Sequence, residues 1–317
     1  MFLCCGDALF DLFAKPAGND IATLNIEGRI GGSPLNVALG LARLGHHSAF
    51  FTKLSEDLFG RKIRAFMAAE NIDQQFLIPT RRSTTLAVVS LSESGAADYD
   101  FHIDGTADRS IRQEQVPDEF PDALAAIHIG SYTTVTEPTA SALLKLIGQQ
   151  SARRFISYDP NIRASIEPDL DVWRAQIARI LEQADFVKAS EDDLAQIYPG
   201  RALDSVLADW VSVGPAMAIV TMAEHGAIAF SATGHEVQVP GLPVAVIDTV
   251  GAGDTFQAAS LAHLAETGQL SAEALRSMSP QQIRELLSFA IKAAAITCSR
   301  RGADLPRRND LGLLPLA

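Results

Sequence analysis

Four short apolar runs, IHIGS from Ile127, FISYD from Phe155, FVKAS from Phe186 and AIVTM from Ala218, are separated by stretches of helical periodicity. This alternation constrains the chain more than any other feature. A short apolar run bounded by turn signals reads as a buried strand, and strands that alternate with helices point to an α/β architecture around a mostly parallel sheet. The same rhythm opens the sequence. MFLCCG reads as a first strand, Ser33-Pro34 starts a helix with Val37, Ala38, Leu41, Ala42 and Leu44 on one side, and Gly45 ends it. Phe50 and Phe51 fall in the next strand, and a helix over 58–71 follows.

Two segments break the rhythm. Residues 14–30 have little helical character, and within 84–105 the runs TTLAVVSLSES and YDFHI read as a hairpin turning around Gly95. Together they predict a small β lid at the edge of the main sheet. After the extended runs AIAFSA and HEVQVP the final third is mostly helical, over 254–265 and 280–298. No repeat, low-complexity tract or long linker divides the chain, so one α/β domain over 1–317 is expected.

Charge and cysteine usage narrow the partners. Acidic residues outnumber basic ones by 38 to 26, a net charge of −12 that repels phosphate backbones and argues against nucleic acid. An anionic nucleotide is still compatible, because local N–H groups reverse the field within one cleft. Cys4, Cys5 and Cys298 have neither zinc-site nor disulfide-framework spacing. With no basic leader, early acidic residues at Asp7 and Asp11, and no apolar run of spanning length, the expectation is a cytoplasmic protein without a membrane partner.

The chemistry concentrates at Asp248-Thr249-Val250-Gly251-Ala252-Gly253-Asp254-Thr255-Phe256, which follows the apolar VAVI and runs into a helix. Small residues let backbone N–H groups converge at a helix N-terminus, where an anion is best stabilised. An acid inside an anion site is costly unless it has a task, and Asp254 is placed to take a proton from a hydroxyl facing the phosphate. An Asp capping a helix after a Gly-rich turn is an equally ordinary arrangement, and the residues alone leave both readings open. GxxxxGK[ST], HRD and DFG elements are absent, and no GxGxxG follows the first strand, which removes P-loop, protein-kinase and dinucleotide readings.

GAGD after Asp248-Thr249, together with Gly31-Gly32-Ser33-Pro34-Leu35-Asn36 leading into a helix, resembles the two signature motifs of the PfkB, or ribokinase-like, family of carbohydrate kinases. The motifs stand in the family's order near opposite ends of the chain. The resemblance implies a three-layer α/β/α sandwich with a small β lid and an ATP-dependent phosphotransferase acting on a sugar hydroxyl. It makes Gly251, Ala252 and Gly253 the anion hole and Asp254 the base. Asp11, Gly32 and Asn36 would hold sugar hydroxyls, with Phe101 of the lid and Arg163 also facing the sugar.

On the nucleotide side, Lys188-Ala189-Ser190-Glu191 resembles the family's Asn-x-x-Glu element, with Glu191 acting on Mg²⁺ through water. Lys188 departs from the Asn, resembles the fructokinase branch, and would meet phosphate oxygens. Thr221 and Gly226 resemble a nucleotide-binding Thr-x-Gly-x-x-Gly turn in which Ala223 replaces the middle Gly. The segment after Cys298 resembles the closure of the adenine pocket. Asp248 would serve a monovalent cation if K⁺ takes part, although Pro306 stands where several relatives carry a small hydroxyl residue. Asp159-Pro160-Asn161-Ile162-Arg163 beside Lys188 to Glu191 resembles fructokinases most, with 2-keto-3-deoxygluconate kinase and ribokinase as alternatives. A silent sugar-binding regulator is the reading from another class. In relatives the lid often serves as a dimer contact, which implies a homodimer through it.

Overall fold

The computed structural model describes residues 1–15, 22–91 and 97–316. In chain order the strands are β1 (Phe2–Cys5), β2 (Leu9–Lys15), β3 (Asn25–Gly31), β4 (Ser48–Ser55), β5 (Leu77–Thr80), β6 (Leu86–Leu91), β7 (Ala97–His102), β8 (Ala126–Gly130), β9 (Phe155–Asp159), β10 (Phe186–Ser190), β11 (Met217–Thr221), β12 (Ala227–Ser231) and β13 (Glu236–Val239). The helices are α1 (Ser33–Arg43), α2 (Leu58–Ala69), α3 (Thr139–Gln150), α4 (Leu170–Leu181), α5 (Glu191–Ile197), α6 (Leu203–Val213), α7 (Ala252–Glu266), α8 (Ala272–Arg276) and α9 (Pro280–Cys298).

Nine strands form one sheet in the order β13-β12-β11-β10-β9-β8-β1-β4-β5. Pairing is parallel from β11 through β5 and antiparallel where β12 and β13 are added. On one face Cys4, Phe50 and Phe186 pack against α1, α7 and α9; on the other Leu3, Ile127, Ile156 and Val187 pack against α3, α4 and α6. Both faces are therefore covered, which is why the strands read as uniformly apolar. This is the expected three-layer architecture. The lid is a four-stranded sheet, β3-β2-β6-β7, with β6 and β7 antiparallel as a hairpin. The turn expected around Gly95 lies outside the described residues.

Some elements differ from the sequence expectation. β2 begins at Leu9, not near residue 14, because Asp11 interrupts LFDLF on the lid face that looks into a cleft, where a carboxylate is tolerated. The edge strand β5, LIPT, is short and carries a Pro, so it offers no periodic signal. Helix α2 ends at Ala69.

Two features of the fold build the site. Strand order reverses between β8 and β1, and in open α/β sheets ligands collect beyond the strand ends at such a switch point. Helices α1 and α7 cross closely, since a Cβ on Gly40 would lie 2.5 Å from Cβ of Ala258. One turn earlier on each helix stand Asn36 and Asp254, which the crossing therefore brings face to face. Among the described residues no helix is long and apolar enough to cross a membrane.

Candidate active site

A cleft of about 580 Å³ lies between the C-terminal strand ends and the inner face of the lid. Alternation along β2 turns Leu9, Asp11 and Phe13 inward, and Val89 and Phe101 join them from β6 and β7. The cleft brings Asp11, Gly32, Asn36, Phe101, Arg163, Lys188, Glu191, Thr221, Gly251, Gly253 and Asp254 around one space. Ala252, Gly226, Asp248 and Cys298 stand behind its lining.

Asp254 is buried in the first turn of α7, with Oδ1 accepting from Ser33 Oγ at 2.6 Å and Oδ2 from Asn36 Nδ2 at 2.7 Å. Burial raises its pKa above the ordinary carboxylate value, against the lowering effect of Ser33, Asn36, Lys188 and Arg163. The left-handed Gly251 (φ 79°) starts the helix, and a Cβ there would sit 2.7 Å from Cβ of Ala303. The Ala252 N–H donates to the Thr249 carbonyl at 3.2 Å. Those of Gly253 and Asp254 have no partner among the described residues, so a buried carboxylate and free N–H donors share one helical turn.

Lys188 is buried in the middle of β10, with Nζ 2.8 Å from Oδ2 of Asp159. A Cβ added to Gly253 would lie 2.9 Å from that Nζ, so the ammonium rests on the Gly-rich turn. Burial alone would lower the Lys188 pKa; Asp159, Asp193 and Asp254 reverse this and raise it. Asp159 is itself pushed up to about 6, because burial and the neighbouring carboxylates outweigh a single ammonium.

The other end of the cleft carries Arg163 among acids. Its guanidinium donates to the carbonyls of Asn161 and Ile162 at 3.3 and 2.9 Å, and its charge lowers the pKa of Asp7, Asp11 and Asp254. Burial nonetheless raises Asp7 to about 7 and Asp11 to about 6. Asp7 is a site residue that the sequence reading missed. It follows β1 at the switch point, accepts from the Ser33 N–H at 3.1 Å, and presses its carbonyl so close to Gly32 (φ 115°) that a Cβ there would collide with it. Ser33 was missed too, although it lies inside the GGSPLN motif; Asp159 likewise stands in a motif whose Arg alone was singled out.

Toward β11, Ala223 adopts the left-handed φ of +46°, a backbone conformation that favours glycine. A Cβ on Gly226 would collide with the Val239 carbonyl. The Cys298 carbonyl accepts from Ile247 and Asp248 N–H groups, and burial raises its thiol pKa. Asp248 accepts from Val250 N–H at 3.1 Å and Gly302 N–H at 2.8 Å, tying the loop before α7 to the segment after α9.

Among the described residues no cluster of three or more His, Cys, Asp or Glu forms a ready-made metal cage. The donors at the start of α5 fit a different arrangement. Asp193 is taken up by Ser190 and the Ile162 N–H, whereas the exposed Glu191 and Asp192 face the cleft. Mg²⁺ keeps several waters and uses one or two carboxylates beside substrate phosphates, which this pair satisfies.

The profile of "pfkB family carbohydrate kinase" matches residues 1–310. A fructokinase of Rhizobium leguminosarum bv. trifolii is 34% identical over 309 residues, 98% of this chain and 91% of that one. The crystal structure of Xylella fastidiosa fructokinase with bound ATP superposes with a TM-score of 0.85 at 26% identity, covering 98% of this chain and 96% of that chain. A double mutant of Vibrio cholerae O395 fructokinase, in a form that binds fructose, ADP and potassium ion, gives a TM-score of 0.83 at 25% identity over 98% and 96% of the two chains. With both signature segments meeting in one cleft and relatives aligned from end to end, the chain belongs to the pfkB family of carbohydrate kinases.

Proposed function

We propose that this ATP-dependent sugar kinase is a fructokinase that phosphorylates the 6-hydroxyl of fructose, with Asp254 as the general base. The observation that carries the reading is the single turn of α7 in which a buried, hydrogen-bonded carboxylate stands beside unpartnered backbone N–H groups. As the sugar oxygen attacks the γ-phosphorus of ATP, its proton passes to Asp254, the new O–P bond forms, and the bond to the β-phosphate oxygen breaks to release ADP. A carboxylate whose pKa is raised toward the working pH suits that task. Developing charge on the phosphoryl oxygens meets the N–H groups of Gly253 and Asp254, the α7 dipole and the Lys188 ammonium. Ser33 and Asn36 orient the base, and Asp11, Gly32, Arg163 and Phe101 shape the sugar end.

Nucleotide binding is assigned to Lys188, Thr221, the Ala223–Gly226 turn, Gly251 and the segment following Cys298. Glu191, with Asp192, would hold Mg²⁺ through water, and the ion would neutralise phosphate charge. Each Asp248 oxygen accepts one N–H and keeps acceptor capacity, so K⁺ beside it would further join the two loops it ties. The three cysteines are unpaired, in keeping with a cytoplasmic setting. Leu24 and Ile26, exposed on the lid, support a homodimer through that sheet.

Fructose is favoured over a keto acid because Asp7, Asp11 and Asp254 outnumber Arg163, so a substrate carboxylate meets repulsion while a polyol finds hydrogen-bond partners. The test is kcat/KM for fructose, ribose, adenosine and 2-keto-3-deoxygluconate. Fructose should lead; a preference above about tenfold for the keto acid, roughly 1.4 kcal/mol, would overturn the substrate and leave the kinase standing.

A further inference from the structure

Arg29 lies on the lid strand β3, opposite Asp11 of β2, on the lid face that looks into the cleft. Its Nε and Nη2 donate to Oε1 of Glu27 at 3.0 and 2.8 Å, and its guanidinium carbon stands 5.8 Å from the ring centre of Phe13, a cleft residue. These contacts fix the fork and leave Nη1 pointing away from the lid. There it rests on Gly302, where a Cβ would collide with it. The Gly302 N–H donates to Asp248 Oδ2 at 2.8 Å, and the next residue, Ala303, packs against the left-handed Gly251 at the head of α7. Phe13, Arg29, Gly302 with Ala303, and Gly251 thus form an unbroken series of contacts from the sugar-facing lid to the phosphate turn.

We propose that Arg29 is a positioning residue that couples sugar binding to nucleotide binding, and the proposal rests on the assignment of sugar to the lid side and ATP to the Gly251 side. A sugar packed on Phe13 holds the guanidinium in the seat it occupies on Gly302. The Gly302–Ala303 backbone is then held against Asp248 and Gly251, the geometry in which the α7 amides face the incoming phosphate. Nucleotide therefore binds more tightly to the sugar complex, and by linkage sugar binds more tightly to the nucleotide complex by the same factor. Arg29 does not line the cleft, so its truncation leaves the direct contacts of each ligand intact. Gly302 is held to glycine by its left-handed backbone (φ 70°), and the face it leaves open seats the lid arginine.

Titration calorimetry on the full chain, with Mg²⁺ present, measures fructose alone, a non-hydrolysable ATP analogue alone, and each in the presence of the other. The parent should show mutual tightening of at least about fivefold, equal from both directions. Arg29→Met keeps the stem and removes the fork; it should bring the factor below about twofold while each ligand alone binds within about threefold of the parent. Arg29→Gln provides a second truncation should the first not fold. A variant that keeps the parent's factor overturns the coupling role, as does a parent with no mutual tightening or a variant that weakens each ligand alone as much as both together. Failure of the parent to bind either ligand would instead bring down the assignment of sugar and ATP to this cleft.

Discussion

Nζ of Lys188 and Oδ2 of Asp159 stand 2.8 Å apart with both side chains buried, and the second oxygen of Asp159 has no partner among the described residues. The pair joins the end of β9 to the middle of β10, with the ammonium against the turn that opens α7. A buried ammonium so placed needs its counter-charge, and removing one partner of such a pair leaves an uncompensated ion.

Asp159→Asn is therefore expected to lower stability by about 3 kcal/mol, read from the urea midpoint. Combining it with Lys188→Met should recover most of the stability and none of the turnover, since the ammonium is then gone from the phosphate turn. Recovery of turnover in the double variant would remove Lys188 from the mechanism.

Gly253 is predicted to tolerate no branched side chain. The first atom added would lie 2.9 Å from the Lys188 ammonium, which must shift, and a β-branched group would also displace the free N–H donors. Gly253→Val should reduce turnover by at least about 10²-fold, with fructose affinity by calorimetry unchanged. Activity within a few-fold of the parent would place the phosphate elsewhere.

Asp7 should give the fold an unusual pH dependence. Its folded pKa of about 7 lies above the ordinary 3.8, so the native state holds the proton more tightly than the unfolded chain. Its contribution to stability is complete below about pH 4 and is lost as pH rises through about 7, with Asp11 and Asp159, both near 6, acting in the same sense. Asp7→Asn, which mimics the neutral form, should gain stability relative to the parent between pH 5 and pH 8. An unchanged difference between those two pH values would contradict the raised pKa.

Much of the cleft lining was legible in the sequence because many of its residues stand in a few short motifs. Pro280 after the Ser279 cap fixed the start of α9, and the glycines before Asp254 marked the head of α7. The contacts between motifs were not legible. Ser33 reaches Asp254 across 221 positions and Thr133 reaches Asp7 across 126, and no local pattern encodes either. Asp7 counted only as an early acidic residue until the strand order placed it at the switch point. Ala223 read as a departure from a glycine pattern, and nothing local to it announces the left-handed backbone (φ 46°) that it adopts.

That conformation carries a price for a residue with a Cβ. Ala223→Gly should stabilise the chain by about 1 kcal/mol, measured as a rise in Tm, while ATP affinity changes little. Destabilisation by a similar amount would mean that the methyl contributes packing that outweighs the strain.

Asp254 carries the proposed proton transfer. Steady-state kcat for Asp254→Asn, with fructose and ATP saturating and their binding verified by calorimetry, should fall by about 10²–10⁴-fold, because the amide can still accept from Asn36 through its oxygen and donate to the Ser33 hydroxyl through its nitrogen but has lost the capacity to take a proton. A folded variant that binds both substrates and turns over at close to the parental rate would show that the proton leaves the sugar hydroxyl by another route.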